Sequence, residues 1–514
     1  MSRRNRLGRG AALAVAGLLA GCAVGPDFKT PRVAEANHYT SGTDPTLTSG
    51  AQGISQRLRP GAQVAADWWH LFNCAPLDAI VAEALLRNPG LQAAQASLRE
   101  SEDRLQSGYG VFFPQAQADA AASRQRYSAV KLGQSAPASL FNLFTLTASA
   151  SYVLDIFGGE RRAIEGMRAE TDIQRATEQA TYVTLISNIV NAMIAAAAYR
   201  AEIDATQALI ELQREQVRLA EVQVRGGIAP YSTVLSLRSQ LASYEATVPQ
   251  LQQRLAQGND LLATLVGREP ANWSPPIVRL ADLRLPADLP VSLPSELVRQ
   301  RPDILLAEAT AHVASANVGV ATAAMFPELT LNASYSANGA QTGNLLSAEG
   351  RAWNIGGGLT APLFEGGALR YQRKATIDAY RVAMALYRQT VLTAFAQVAD
   401  TLLALEHDAS ALSAQDEALD AAKEALHLVQ TNYEAGLATY LEVLTADAQF
   451  HQAVLNDVQA VAVRYQDTVA LYVALGGGWW SVKDPALELD HQDARQSSVP
   501  AGIPAERPRE TTPR

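Results

Sequence analysis

The chain has 514 residues, nearly half of them hydrophobic, with 42 Lys and Arg against 51 Asp and Glu and a formal charge of −9 at pH 7. That acidic balance argues against nucleic acid as a partner, and two cysteines cannot build a disulfide framework. The length allows more than one folding unit.

Arg3, Arg4, Arg6 and Arg9 precede an apolar run over residues 11–20, followed by Gly21 and Cys22. The run is too short to span a bilayer and reads as a secretory signal over residues 1–21. Leu19-Ala20-Gly21-Cys22 has the form of a bacterial lipobox, which predicts cleavage before Cys22 and a covalent lipid on that cysteine; the alternative is an ordinary signal that contains a cysteine. Ala23, in place of Asp, favours the outer membrane over the inner. Without the four leader arginines, 38 basic residues face 51 acidic ones, a mature charge of about −13. Cys74 is then the one remaining thiol, expected to be buried and inert.

The core is written twice. Gly227-Ile228-Ala229-Pro230-Tyr231-Ser232-Thr233-Val234-Leu235 aligns with Gly436-Leu437-Ala438-Thr439-Tyr440-Leu441-Glu442-Val443-Leu444 at an offset of 209. The offset recurs at Gly267 and Gly476, and becomes 213 at Asn88-Pro89 against Arg301-Pro302 and at Phe113-Pro114 against Phe326-Pro327. This divides the chain into a lipidated N-terminal segment (22–75), a first repeat (76–267), a Pro-rich connector (268–292), a second repeat (293–476) and a largely disordered tail (477–514). A period so long implies two equivalent halves about a pseudo-symmetric centre.

Each repeat opens with a helix, over 91–109 and 304–324, that stops before Phe-Pro because proline cannot continue it. Alternation with period two follows. Thr145, Thr147, Ser149 and Ser151 interleave with Leu146, Ala148, Ala150 and Leu154, and Leu329, Leu331, Ala333, Tyr335 and Ala337 with Thr330, Asn332, Ser334, Ser336 and Asn338. Partner strands over 115–126 and 351–364 are weaker, with polar loops at 127–142 and 339–350. Strands of this length in an exported chain fit a tilted bilayer crossing; the alternative is a half-buried soluble sheet. Four strands cannot close a pore and lipid tolerates no open edge, so three chains would pool twelve.

Residues 160–224 and 368–435 contain no Pro and a single Gly between them. Val391, Phe395, Val398, Leu402, Leu405, Ala409 and Leu412 step by four and three, as do Val183, Ile186, Val190, Met193 and Ala197, a coiled-coil seam on helices about 100 Å long. Each ends at the repeated Gly motif and reverses into a shorter helix, 231–266 or 440–475, with Pro249 expected to kink the first. The length mismatch is removed if each returning helix stacks end to end on the helix that opens its repeat, which gives a hollow helical cylinder below a barrel.

Cys22 with Val24-Gly25-Pro26-Asp27-Phe28, Asp67-Trp68-Trp69, Leu154-Asp155-Ile156-Phe157-Gly158-Gly159, Arg301-Pro302-Asp303-Ile304, Pro362-Leu363-Phe364-Glu365-Gly366-Gly367 and the motif from Gly436 to Leu444 together resemble the TolC-type outer membrane factors, in their NodT/OprM-like lipoprotein branch. The resemblance covers residues 1–480. It implies a membrane α+β fold with internal duplication, a trimer sharing a 12-stranded outer-membrane barrel continued by a long periplasmic α-helical barrel. It also implies the exit duct of a tripartite efflux pump for small toxic compounds, with a periplasmic adaptor and an inner-membrane transporter, usually of the RND class. The same duct in protein secretion, or a lipid-tethered coiled-coil scaffold, are the alternatives.

By the resemblance, the adaptor meets the tips at Arg225, Gly226, Gly227, Ile228 and Ala229 and at Glu434, Gly436, Leu437 and Ala438. The closed tunnel narrows at Leu441 and Glu442. Thr445 stands where the family often has Asp, and Asp447 is near enough in sequence to supply that charge. No HExxH, CxxC or phosphate loop occurs, so no enzyme, cofactor or metal site is expected beyond the lipid on Cys22. His312, His407 and His427 read as packing or facial residues of helices.

Overall fold

The computed structural model describes residues 23–31, 38–50, 55–128, 133 and 137–481. Cys22 and the tail beyond Ser481 lie outside the described residues, as do the signal and much of the first predicted loop.

Each repeat builds the same series. A lead helix, Pro89–Gly108 or Pro302–Ala323, delivers the chain to a strand; a hairpin returns it; and a helix of 67 residues follows, Gly159–Arg225 or Ala368–Glu434. The returning helices are Tyr231–Val266 and Tyr440–Ala474. Pro249 sits inside the first without ending it. The carbonyl of Glu245 that it deprives of a donor lies on an exposed stretch where water can reach it, so the helix continues through the proline.

The predicted splice between short helices is present in both repeats. The Asn88 side-chain amide donates to the Leu265 carbonyl at 2.8 Å, and Arg301 Nη1 donates to the Ala474 carbonyl at 2.7 Å. Each polar side chain at the start of a lead helix thus satisfies a carbonyl orphaned at the end of a returning helix, and the Arg301 cation also suits the negative end of that helix dipole. The first long helix packs on both stacked columns, and the second long helix on the second column, so the order across the wall is stacked, long, stacked, long.

The sheet above follows the same order. Strands β2 (Gln115–Tyr127), β3 (Ser139–Leu154), β5 (Glu328–Gly339) and β6 (Arg351–Thr360) form one antiparallel sheet in the order β2-β3-β5-β6. β3 begins three residues earlier than the predicted loop end at 142, because Phe141 and Leu140 pair with Gln125 and Arg126. β6 ends four residues short of the predicted 364, where Pro362 has no N–H for a ladder.

Register sorts polarity across all four strands. Gln117, Ser149, Ser334 and Asn354 lie in one row, and Asp119, Thr147, Ser336 and Ala352 in the next row on that face; Ala118, Ala148, Tyr335 and Trp353 lie in a row on the other. A slip of one residue would exchange the faces, so the pattern fixes the register. On the apolar face Trp353 and Ile355 are 74% and 76% exposed, and nothing among the described residues covers them. Exposed Phe113, Phe326 and Phe364 mark the end of the sheet nearest the helices. Among the described residues the outer edges of β2 and β6 are unpaired.

The main core is a belt around the middle of the helical wall. Trp68 and Phe72 pack there with Ile186, Ile189 and Val190 of the first long helix, Leu402 of the second, and Tyr465 and Tyr472 of the returning helix. The N-terminal segment and the connector meet beside it through a parallel pair, β1 (Arg57–Pro60) and β4 (Asp288–Val291). Cys74 is buried at its edge, and burial pushes its thiol pKa up. Nearer the sheet, residues 23–30 are strapped to the wall: Val24 N–H donates to the Phe157 carbonyl at 3.0 Å, Arg162 Nη2 reaches Asp27 at 2.7 Å, and Phe28 stacks on His312 at 4.4 Å. The residue that follows Cys22 is thereby held next to Gly158, just beneath the sheet.

Candidate functional site

The far end of the helical wall carries two glycine turns. Gly227 adopts φ 73° and Gly436 φ 76°. Around Gly227, Ile228 N–H donates to the Gln223 carbonyl at 2.9 Å and Gly227 N–H to Val224 at 3.0 Å; Leu437 to Asn432 at 2.8 Å and Gly436 to Tyr433 at 3.0 Å repeat the pattern. This is the Schellman closure, in which a left-handed residue satisfies the last helical carbonyls. It leaves the next side chain pointing out. Ile228 is 80% and Leu437 81% exposed, while Arg225, Gly226, Glu434 and Ala435 are exposed and Ala229 and Ala438 half-buried. The two tips are neighbours, joined where Tyr433 Oη donates to Gln223 Oε1 at 3.3 Å and Tyr440 Oη to Gln216 Oε1 at 3.4 Å.

Leu441, Glu442 and Thr445 share the exposed side of the second returning helix, Leu441 at 71%. Glu442 accepts from Thr439 N–H and Oγ1 in a capping box, so its carboxylate is held at the helix start. Thr445 Oγ1 donates to the Leu441 carbonyl at 2.9 Å.

Asp447 does not join them. It is 1% exposed and faces Tyr244 of the first returning helix, whose Oη donates to Asp447 Oδ2 at 3.3 Å. Six residues beyond Leu441, it is turned about 240° away around a helix of 3.6 residues per turn, so it cannot complete an acidic ring with Glu442. Burial raises its pKa to about 6, with the Tyr244 hydrogen bond opposing weakly, while burial together with the Asp447 charge pushes Tyr244 up to about 12.

A sheet with an apolar outer face and two open edges, set on a hollow helical wall with glycine tips, defines an outer-membrane channel built from several chains. The sequence profile described as "Outer membrane efflux protein" matches residues 80–268 and 293–477, and the chain belongs to this family. It is 33% identical over 464 residues to the pyoverdine export outer membrane protein OpmQ of Pseudomonas aeruginosa, covering 87% of this chain and 96% of that one. It is 28% identical over 475 residues to the probable efflux pump outer membrane protein TtgC of Pseudomonas putida, covering 90% and 94%. The solved outer-membrane channel OprN superposes with a TM-score of 0.81 at 27% identity, over 89% of this chain and all of that one.

The protein is therefore a trimeric outer-membrane exit duct of efflux pumps, a channel and not an enzyme. Three sheets of four strands make its barrel, and within each chain β2 and β6 are the outer strands of the sheet. Thr147 and Ser149 lie on the polar face of this sheet and Leu146 and Ala148 on the opposite, apolar one. Sequence reasoning missed the splice residues Asn88 and Arg301, although their place before the Pro of each lead helix, at one repeat spacing, was available as a signal.

Proposed function

We propose that the duct is anchored by lipid on Cys22, seats a periplasmic adaptor on its two tips, and receives small toxic compounds from an inner-membrane transporter of the RND class. The adaptor contact comprises Arg225, Gly226, Gly227, Ile228 and Ala229 with Glu434, Gly436, Leu437 and Ala438. The observation that carries this reading is the repeated tip: two sequence-equivalent turns each hold one aliphatic side chain almost fully in water, a costly arrangement unless a partner covers it. The strap over residues 23–30 supports the anchor, since it brings the chain to the sheet's lower rim directly after Cys22. Cys22→Ser should abolish fatty-acid labelling, and a labelled variant would remove the anchor assignment.

The closed constriction is formed by Leu441, Glu442 and Thr445, three copies of each converging on the axis, where an apolar ring beside an acidic one narrows the path and favours cations. Glu442→Gln is a clean probe because Gln retains the capping-box hydrogen bond while losing the charge. Leu441→Ala with Glu442→Gln should raise single-channel conductance in bilayers and weaken cation selectivity. Unchanged conductance and selectivity would place the constriction elsewhere.

A further inference from the structure

We propose that the seam between the two hairpins of each chain is a latch under internal strain: Asp447, Tyr244, Gln213 and His451 are packed together too dry while the hairpins are joined, and the ionised Asp447 carboxylate favours their separation, joined hairpins being the closed seam. The proposal rests on the reading of Leu441 and Glu442 as the closed constriction, because these residues ride on the same helix as Asp447.

The seam has three sides. Tyr244 comes from the first returning helix, Asp447 and His451 from the second, and Gln213 from the first long helix. Tyr440 reaches Gln216, and further along Gln459 reaches Glu202, so the second returning helix runs antiparallel to the first long helix and Gln213 falls within about a turn of Asp447. Leu209 and Ile210, one turn from Gln213 on the same buried stripe, pack on Tyr244. The Tyr244 and His451 rings are 4.9 Å apart.

These groups are fully enclosed and poorly satisfied. Gln213 is 0% exposed, and neither its Nε2 nor its Oε1 has a protein partner; His451 Nε2 has none either. Asp447 has one donor, the 3.3 Å contact from Tyr244. Buried polar groups left this way favour any arrangement that hydrates them. The other hydrogen bonds between the hairpins here, Tyr433 to Gln223, Tyr440 to Gln216 and Gln459 to Glu202, are also long, at 3.3–3.4 Å, so Tyr440 and Leu444 packing on Val217, Val234 and Leu237 is the main tie that opposes separation.

Among the described residues no cation compensates Asp447. The first long helix offers Gln213 and Gln216, and the first returning helix Tyr244 and Gln240. The second long helix passes this height with Lys423, Glu424 and His427, all exposed, and burial with Tyr244 alone sets the carboxyl's titration. Its pKa is raised from 3.8 to about 6, so the closed seam prefers the proton. Closing is unpenalised below about pH 4, loses ground as pH rises through 6, and above that carries the full cost, about a hundredfold per chain in the closed-to-open ratio. His451 opposes this: burial lowers its pKa, so the closed seam also rejects imidazolium in acid. The carboxyl must therefore be isolated by substitution.

The test is open probability and conductance of purified trimers in planar bilayers. Asp447→Asn keeps the shape and removes the charge; at pH 7.5 it should lengthen closed dwells by tenfold or more. Gln213→Leu, which replaces an unsatisfied amide with apolar volume, should act in the same direction and covers the case in which Asp447→Asn fails to assemble. In a His451→Gln background, lowering pH from 8 to 5 should reduce opening about tenfold, and adding Asp447→Asn should abolish that response. Unaltered dwell times in assembled Asp447→Asn, or a pH response that survives in the double variant, would overturn the latch. If Leu441→Ala still widens the channel in that event, the constriction reading stands and the latch alone fails.

Discussion

A trimer carrying Gly227→Trp together with Gly436→Trp should insert normally and export nothing. Both glycines occupy left-handed φ, where a side chain costs about 1 kcal/mol or more, and a Cβ added at either meets no atom within 4 Å. The new side chain therefore starts into open space. It projects from the turn beside Ile228 or Leu437, across the surface a partner has to cover. The strain stays local, because the core belt at Trp68 and Tyr472 lies many turns up the 67-residue helices and the sheet about 100 Å away. Drug susceptibility should rise to that of a strain lacking the duct, and cross-linking to the adaptor should be lost, with SDS-resistant trimers at normal levels. Normal efflux and cross-linking from a correctly inserted double variant would withdraw the tips as the docking site.

Much of this architecture was legible because it rests on local periodicity. Helices free of proline, with a four-three apolar step from Val391 to Leu412, had no competing structure, and buried Val391, Val398, Leu402, Leu405, Ala409 and Leu412 confirm the stripe. The strand faces were legible for the same reason: Thr145 to Ser151 alternates cleanly. Weak strands were placed by their partners, so their ends were least secure, at Ser139 and Thr360.

What the sequence concealed are contacts between distant segments. Nothing local in Arg57 or Asp288 announces that they share a two-stranded sheet across the connector. Arg162 looks like any cation on a helix, yet it is buried between Asp27 and Glu165 under the N-terminal strap. His312 reads from the sequence as a packing or a facial residue, and its stacking on Phe28 depends on where that strap runs. Asp447 was misplaced for another reason. Nearness in sequence was allowed to stand for a shared face, although the helical angle from Leu441 already pointed it into the wall.

A barrel shared by three identical chains requires β2 of each to join β6 of the next. All 13 residues of β2 and all 10 of β6 are exposed in the single chain, and the alternation of direction across the sheet makes the join antiparallel. The direct test is an interchain disulfide in membranes, with Cys74 replaced by Ser, Ala118→Cys in β2 and a second cysteine walked through Arg351–Thr360. Antiparallel partners bring Cα atoms to about 5.5 Å, within disulfide reach, so the one register position opposite residue 118 should convert the protein to a covalent ring of three chains. No bond at any position, bonds confined to one chain, or an open ladder running past three chains would contradict the shared twelve-stranded barrel.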